Sequence, residues 1–130
     1  MGMPKSIEKL VILLSWPDKS LWVNRNRGKS WHVLTDAKEV AIDEAHKATL
    51  QALEGESKPN WKRLRLAVEI SAHKVDRGSF DLDNLAGALK HHIDSICATL
   101  GVNDNQIDCL VVLRDVPCKA PFVAIEIRPL

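Results

Sequence analysis

The alternation of apolar and polar residues predicts four strands and two helices along this 130-residue chain. Apolar runs or a period of two mark the strands, at residues 7–15, 64–72, 107–113 and 122–127. Helical periodicity marks one segment that begins at Asp36 as its N-cap and stops at Gly55. It marks a second segment from Asn84 to Leu100 that ends at Gly101. We therefore expect one α+β domain over residues 1–130, ordered β-α-β-α-β-β, with a mixed sheet and two helices.

The second predicted helix has an apolar face and a separate polar row. At about 100° per residue, one stripe should pack on the core, namely Leu85, Leu89, Ile93, Ile96 and Leu100. The other row holds Asp83, Gly87, Lys90 and Asp94, with Asp83 as the predicted N-cap. Such a row is either a solvated surface with i,i+4 ion pairs or part of a site.

Two carboxylates stand one residue apart where the second strand gives way to the second helix, in Asp81-Leu82-Asp83-Asn84. Residues i and i+2 of an extended segment project to one side, so these two acids should converge. The chain that returns after the helix is expected to bring Asp104 to them. Three carboxylates without a thiol or an imidazole suit a hard cation such as Mg²⁺. The sequence thus predicts metal-assisted chemistry on phosphate.

Basic residues concentrate before these acids, although the formal net charge is only +1. Residues 1–80 carry 14 Lys and Arg against 10 Asp and Glu, whereas residues 81–130 carry 4 against 7. This polarity suits a phosphate-binding surface beside an acidic metal site. The predicted phosphate contacts are Lys19, Arg25, Arg27, Lys29, Lys74 and Arg77. Trp22 and Trp31 flank the first basic run, where they either stack on unpaired bases or pack over the loop.

Other features favour a cytoplasmic protein with no membrane partner. The longest apolar run, Leu10 to Leu14, is too short to span a bilayer, and no signal peptide is recognised. The three cysteines are odd in number and lack CxxC spacing, so we expect reduced thiols. A zinc site at His91, His92 and Cys97 is the alternative metal hypothesis, but a closed zinc site wants four ligands.

Around the acids the chain resembles the RusA family of Holliday-junction resolvases. The family signature is Asp-x-Asp-Asn, then a helix with a lysine and a further aspartate, then an acidic pair before a short strand. The matching residues are Asp81-Leu82-Asp83-Asn84, Lys90, Asp94 and Asn103-Asp104-Asn105-Gln106-Ile107. The family lysine stands three residues after the Asn, where this chain has Gly87, so Lys90 lies about one helical turn further on.

The resemblance implies a Mg²⁺-dependent endonuclease, with one or two ions per site or Mn²⁺ in their place. Such an enzyme resolves four-way DNA junctions by paired symmetrical nicks. Carried over by position, the catalytic metal ligands are Asp81, Asp83 and Asp104, the catalytic lysine is Lys90, and Asp94 is a supporting acid that either adds a metal ligand or holds the lysine in place. Two coordinated cuts call for a homodimer with a two-fold axis. The alternative is a catalytically impaired protein of the same fold that binds branched DNA.

Overall fold

A computed structural model describes residues 7–22, 31–76 and 80–130, with the backbone alone for residues 31–33. Its elements are β1 (Leu10–Ser15), α1 (Trp31–Leu53), β2 (Leu66–His73), α2 (Leu82–Ala88), α3 (Lys90–Leu100), β3 (Ile107–Arg114) and β4 (Phe122–Pro129). Short 3₁₀ turns cover Lys19–Leu21 and Asp104–Gln106. The prediction of a mixed α and β fold is confirmed. The predicted count of two helices is wrong for this part of the chain, which has three in the order β-α-β-α-α-β-β.

The four described strands form one mixed sheet in the order β1-β4-β2-β3. β4 is antiparallel to both β1 and β2, whereas β2 and β3 are parallel. A parallel pair needs a crossover connection, because the chain must return to the same end before it can pair. Residues 74–106, which contain α2 and α3, make that crossover.

The core lies between the sheet and the helices. Ile12, Ile125 and Ile70 are paired across β1, β4 and β2 in one row, and each is at most 1% exposed. Leu85 and Leu89 cover the sheet from the helix side and are fully buried. Burying a side chain of this size contributes about 1.5 to 3 kcal/mol. The predicted apolar stripe of the second helical segment is therefore confirmed.

α1 begins at Trp31 and not at Asp36, so Asp36 is inside the helix and does not cap it. The five residues before Asp36 include no proline or glycine, and nothing in them stops the helix from extending back. At the other end the prediction is close. Glu54 and Gly55 both have positive φ, 50° and 81°, which ends the helix directly after Leu53.

The second predicted helix is bent into α2 and α3 at Leu89, whose φ of −98° and ψ of 4° are not helical. Backbone hydrogen bonds continue across the bend, because the Leu89 N–H donates to the carbonyls of Leu85 and Ala86. Gly87 favours such a break, since glycine costs about 1 kcal/mol in a helix interior. The N-cap of α2 is Asp81 and not Asp83. Gly101 ends α3 in the left-handed conformation, as predicted.

None of the helices in the described ranges has both the length and the apolar character that crossing a membrane requires. Cys97, Cys109 and Cys118 all lie in the described ranges and are free thiols, as the sequence predicts.

Candidate functional site

The first acidic group lies at the start of α2. Asp81 is the N-cap residue in extended conformation, and its side chain makes no capping hydrogen bond. Its Oδ2 accepts a hydrogen bond from Asn84 Nδ2 at 3.3 Å. Asp83 lies in the first helical turn, so the two acids do not share the extended segment that the sequence predicts. Both carboxylates are exposed, and neither forms an ion pair with a described residue.

The residue before Asp81 is fixed to the end of β3. Arg114 Nη2 donates to the Phe80 carbonyl oxygen at 2.7 Å, and the guanidinium carbon lies 5.0 Å from the Phe80 ring centroid. A charged hydrogen bond and a cation–π contact to one residue restrain both its backbone and its ring. Asp81 follows directly, so its position depends on this contact.

Lys90 is the first residue of α3 and is exposed. It forms no ion pair with Asp94 or with any other described carboxylate, so the row is solvated as one alternative expects but lacks the expected i,i+4 ion pair. Lys90 lies seven residues after Asp83, or roughly 10 Å along the helical axis. Its side chain is thus placed between the acids at the start of α2 and those that follow.

The second acidic group lines a cleft of about 260 Å³ at the end of α3. Its lining includes Asp94, Cys97, Asn103 and Asp104. Burial raises the pKa of the Cys97 thiol to about 11, and the Asp104 and Asp94 carboxylates add to this rise. Both acids line the same cleft as the thiol, so their negative charges oppose its ionisation. The thiol is protonated at neutral pH and is a poor ligand for a hard cation.

Asn103 has a structural role that the sequence did not reveal. Its side chain accepts a hydrogen bond from the Asn105 N–H at 3.0 Å, and Gln106 Oε1 accepts one from the Asn103 N–H at 2.8 Å. This capping box fixes the 3₁₀ turn that carries Asp104. Gln106 Nε2 also donates to the carbonyl oxygens of Trp61 and Leu64. The turn is thereby tied to the chain that leads into β2.

The parallel pairing of β2 and β3 separates the two acidic groups. Leu66 pairs with Ile107 at one end and Ala72 with Arg114 at the other. Asp104 precedes Ile107, whereas Phe80 is bonded to Arg114 at the opposite end. Eight residues of β3 separate these ends, roughly 23 Å at about 3.3 Å per residue. Asp94 and Asp104 are thus brought together, but a single chain does not bring Asp81 and Asp83 to them.

Among residues 7–22, 31–76 and 80–130, no three His, Cys, Asp or Glu side chains are grouped so that they could hold a metal ion. The zinc alternative gains no support from its members. His92 is buried, its Nδ1 has no hydrogen-bond partner, and burial lowers its pKa, whereas His91 is half-exposed. Adjacent histidines on α3 therefore face different surroundings, as the geometry of a helix requires.

Two of the six predicted DNA contacts, Lys19 and Lys74, line a pocket of about 400 Å³. Its walls include three aromatic side chains, Trp16, Trp22 and Phe80. Trp22 is only 9% exposed and packs against the other two rings. The other four contacts, Arg25, Arg27, Lys29 and Arg77, lie outside the described residues, as does the side chain of Trp31.

Three residues of this region were missed from the sequence: Trp16, Phe80 and Arg114. The sequence pattern around Trp16 indicates the end of a strand before Pro17, and it gives no sign of an aromatic pocket. Phe80 directly precedes the acidic pair, and that adjacency was the available signal. No local signal connects Arg114 to Phe80, because 34 residues separate them.

No family model and no curated protein sequence matches this chain. The function is therefore inferred from the side chains and from the places where the fold puts them. Those side chains are exposed carboxylates at the start of α2, carboxylates in the cleft beside α3, and lysines around an aromatic pocket.

Proposed function

We propose that this chain is a Mg²⁺-dependent endodeoxyribonuclease, acting as a homodimer that resolves four-way DNA junctions by paired nicks. One observation carries the proposal: the exposed Asp81 and Asp83 directly follow Phe80, a wall of the pocket that Lys19 and Lys74 line. Oxygen ligands for a cation thus adjoin cations that suit a polyanion. The resemblance of the same residues to the RusA signature supports the choice of substrate.

The donor types fit Mg²⁺, which prefers carboxylate oxygens and keeps several waters. Asp81, Asp83 and Asp104 would hold the ion, with Asp94 as a further ligand. When bound, the ion lowers the pKa of a water molecule and offsets charge on the phosphate. Lys90 would stabilise the scissile phosphate or the leaving oxygen. Mn²⁺ would substitute for Mg²⁺, since it takes the same ligands.

A homodimer also accounts for the separation of the acids. Asp83 and Asp104 lie toward opposite ends of the α2–α3 segment. A two-fold axis that crosses this segment sets one copy antiparallel to the other, because two-fold contacts are isologous. Asp81 and Asp83 of one chain would then meet Asp94 and Asp104 of its partner. Two such composite sites, related by symmetry, match the two cuts that junction resolution needs.

The direct test is nicking of a four-way junction in Mg²⁺ by the wild type and by Asp83→Asn. The variant keeps the shape of the side chain but loses its charge, so we expect no cleavage and unchanged junction binding. Asp43→Asn is the matched control, since Asp43 is an exposed acid on α1 that pairs with Lys47, away from the candidate site. It should cleave as the wild type does. A wild type that binds junctions without nicking them overturns the nuclease proposal.

A junction-binding protein without activity is the second candidate. The observation that favours it is that the described residues of one chain do not group three metal ligands, whereas described residues do form the aromatic and lysine-lined pocket. Binding that is equal with Mg²⁺ and with EDTA, in the absence of any nicking, is the result that this candidate predicts.

A further inference from the structure

The pocket around Trp16 has the composition of a site for a flat, negatively charged ligand. Trp16 follows β1, Trp22 follows the 3₁₀ turn, and Phe80 precedes α2, so three separate parts of the chain converge. The Trp16 and Trp22 ring centroids are 5.9 Å apart at an interplanar angle of 23°. Phe80 meets Trp16 edge-on, with ring centroids 5.0 Å apart. The volume of about 400 Å³ falls within the roughly 300 to 1,000 Å³ typical of ligand pockets.

Trp22 and Phe80 form the fixed wall of this pocket. They are 9% and 8% exposed, and Trp22 Nε1 donates to the Pro17 carbonyl oxygen at 3.3 Å. Arg114 restrains Phe80 through a hydrogen bond to its carbonyl oxygen and a contact with its ring. Trp16 is only half-buried, so part of its ring is accessible to a ligand. A rigid aromatic wall with one accessible ring loses little entropy when a ring system stacks on it.

The charges at the pocket are mixed but favour an anion. Lys74 Nζ lies 4.8 Å from the Trp16 ring centroid, and Lys19 is exposed at the rim. Among the described lining residues the acid is Asp18, whose Oδ1 accepts hydrogen bonds from the Ser20 N–H and Oγ at 2.9 and 2.6 Å, so the two lysines outnumber it. Two ammonium groups beside an aromatic ring match one phosphate on either side of one base.

We propose that this pocket binds one unpaired nucleobase of a DNA strand, stacked on Trp16, with flanking phosphates on Lys19 and Lys74. This deepens the proposed function, on which its choice of DNA rests. Phe80 and Asp81 are consecutive, with Cα atoms about 3.8 Å apart. A strand whose base occupies the pocket therefore passes directly beside the acidic pair. At a junction the unpaired base would be one released from stacking at the branch point.

The test compares the affinity of the protein for a short oligothymidylate with its affinity for an abasic DNA chain of equal length. Both are measured in EDTA, so that the result does not depend on catalysis. Wild type should bind the oligothymidylate more tightly. Trp16→Ala should weaken that binding by roughly 5- to 150-fold, as expected for one stacked base, and should leave abasic binding unchanged. Trp16→Phe should restore most of the affinity, which guards against loss of fold. Lys74→Ala should weaken the binding of both the oligothymidylate and the abasic chain. Lys47→Ala, which removes an exposed lysine on α1, should weaken the binding of neither.

The outcomes separate this proposal from the nuclease proposal. Equal binding of the two chains by the wild type, or an unchanged affinity in Trp16→Ala, overturns the base pocket even if junctions are nicked. Base-dependent binding that Trp16→Ala abolishes upholds the pocket even if wild type fails to nick junctions.

Discussion

Arg114 contacts Phe80 at two points. Arg114 Nη2 donates a hydrogen bond to the Phe80 carbonyl oxygen at 2.7 Å, and the Arg114 guanidinium carbon lies 5.0 Å from the centroid of the Phe80 ring. This contact joins the end of β3 to the residue that precedes Asp81. It thereby connects the sheet, the aromatic pocket and the first acidic group.

We expect Arg114→Ala to lower the free energy of unfolding by about 1.5 to 3 kcal/mol, the usual value of a hydrogen bond from a charged group. Urea denaturation measures this loss. Arg65→Ala is the control, because the Arg65–Asp108 ion pair is exposed, with the arginine side chain 72% accessible. Exposed pairs contribute about 0 to 1 kcal/mol. Equal losses in the two variants would show that the Phe80 contact has no special role.

Cys97 reports on the cleft that Asp94 and Asp104 share. Because the thiol pKa is raised to about 11, its alkylation at pH 9 in EDTA should be slower than that of Cys109 and Cys118. Asp104→Asn removes the larger of the two carboxylate effects, so the pKa should fall and alkylation should accelerate. Burial remains, so the fall is partial. Asp108→Asn, which alters an exposed acid on β3, should change nothing. An unchanged rate in Asp104→Asn would place Asp104 outside the cleft.

The same shift makes stability depend on pH in alkaline solution. The unfolded thiol ionises near 9.0 and the folded thiol near 11, so the native state holds its proton more tightly. The contribution of this thiol to stability should therefore be constant below pH 9 and fall as the pH rises toward 11. Cys97→Ala should flatten this part of the pH profile, as urea midpoints between pH 8 and pH 11 will show. A profile of equal slope in the variant would contradict the assignment.

Lys90→Ala tests the lysine that lies about one turn beyond the Gly87 position. Loss of one cation from a site that stabilises a charged transition state costs about 100-fold in rate. We expect a decrease of that order in junction nicking at saturating protein, with junction affinity nearly unchanged. Lys47→Ala should nick at the wild-type rate. If Lys90→Ala also does so, the catalytic lysine has been assigned to the wrong residue.

Gly101 ends α3 directly before the residues of the cleft that follow the helix. Its φ of 71° is left-handed, and an added Cβ would meet no atom within 4 Å. Gly101→Ala should therefore destabilise through backbone strain alone, by about 1 to 2 kcal/mol in urea denaturation. Gly87→Ala, at an exposed helical position, should have the opposite sign. Destabilisation by both substitutions would point to packing and not to backbone conformation.

Hydrophobic periodicity sufficed for the strands and for the buried stripe of α2 and α3, because both depend on local spacing. The strand at β3 was predicted at 107–113 and is found at Ile107–Arg114. The start of α1 and the bend at Leu89 were missed. The start of α1 was missed because the capping pattern at Asp36 looks like a helix start although it lies inside the helix. The bend was missed because one non-helical residue, Leu89, leaves the period of the apolar stripe intact.

The arrangement of the acids depended on pairing, which periodicity does not encode. The sequence placed Asp104 with Asp81 and Asp83, because a returning strand was assumed to end beside them. The parallel register, Leu66 with Ile107, instead sets Asp104 at the far end of β2. The contact of Arg114 with Phe80 was equally out of reach, since it joins residues that lie far apart in sequence.

The most direct measurement is junction nicking by mixed dimers of two inactive variants, Asp83→Asn and Asp104→Asn. If each site takes Asp83 from one chain and Asp104 from its partner, a mixed dimer has one intact site and one with both changes. Random pairing yields about half mixed dimers, so nicking should return to about a quarter of the wild-type level, on one strand per junction. A wild type that nicks while the mixture stays inactive, although mixed dimers form, would contradict the shared site. A wild type that never nicks would contradict the nuclease itself.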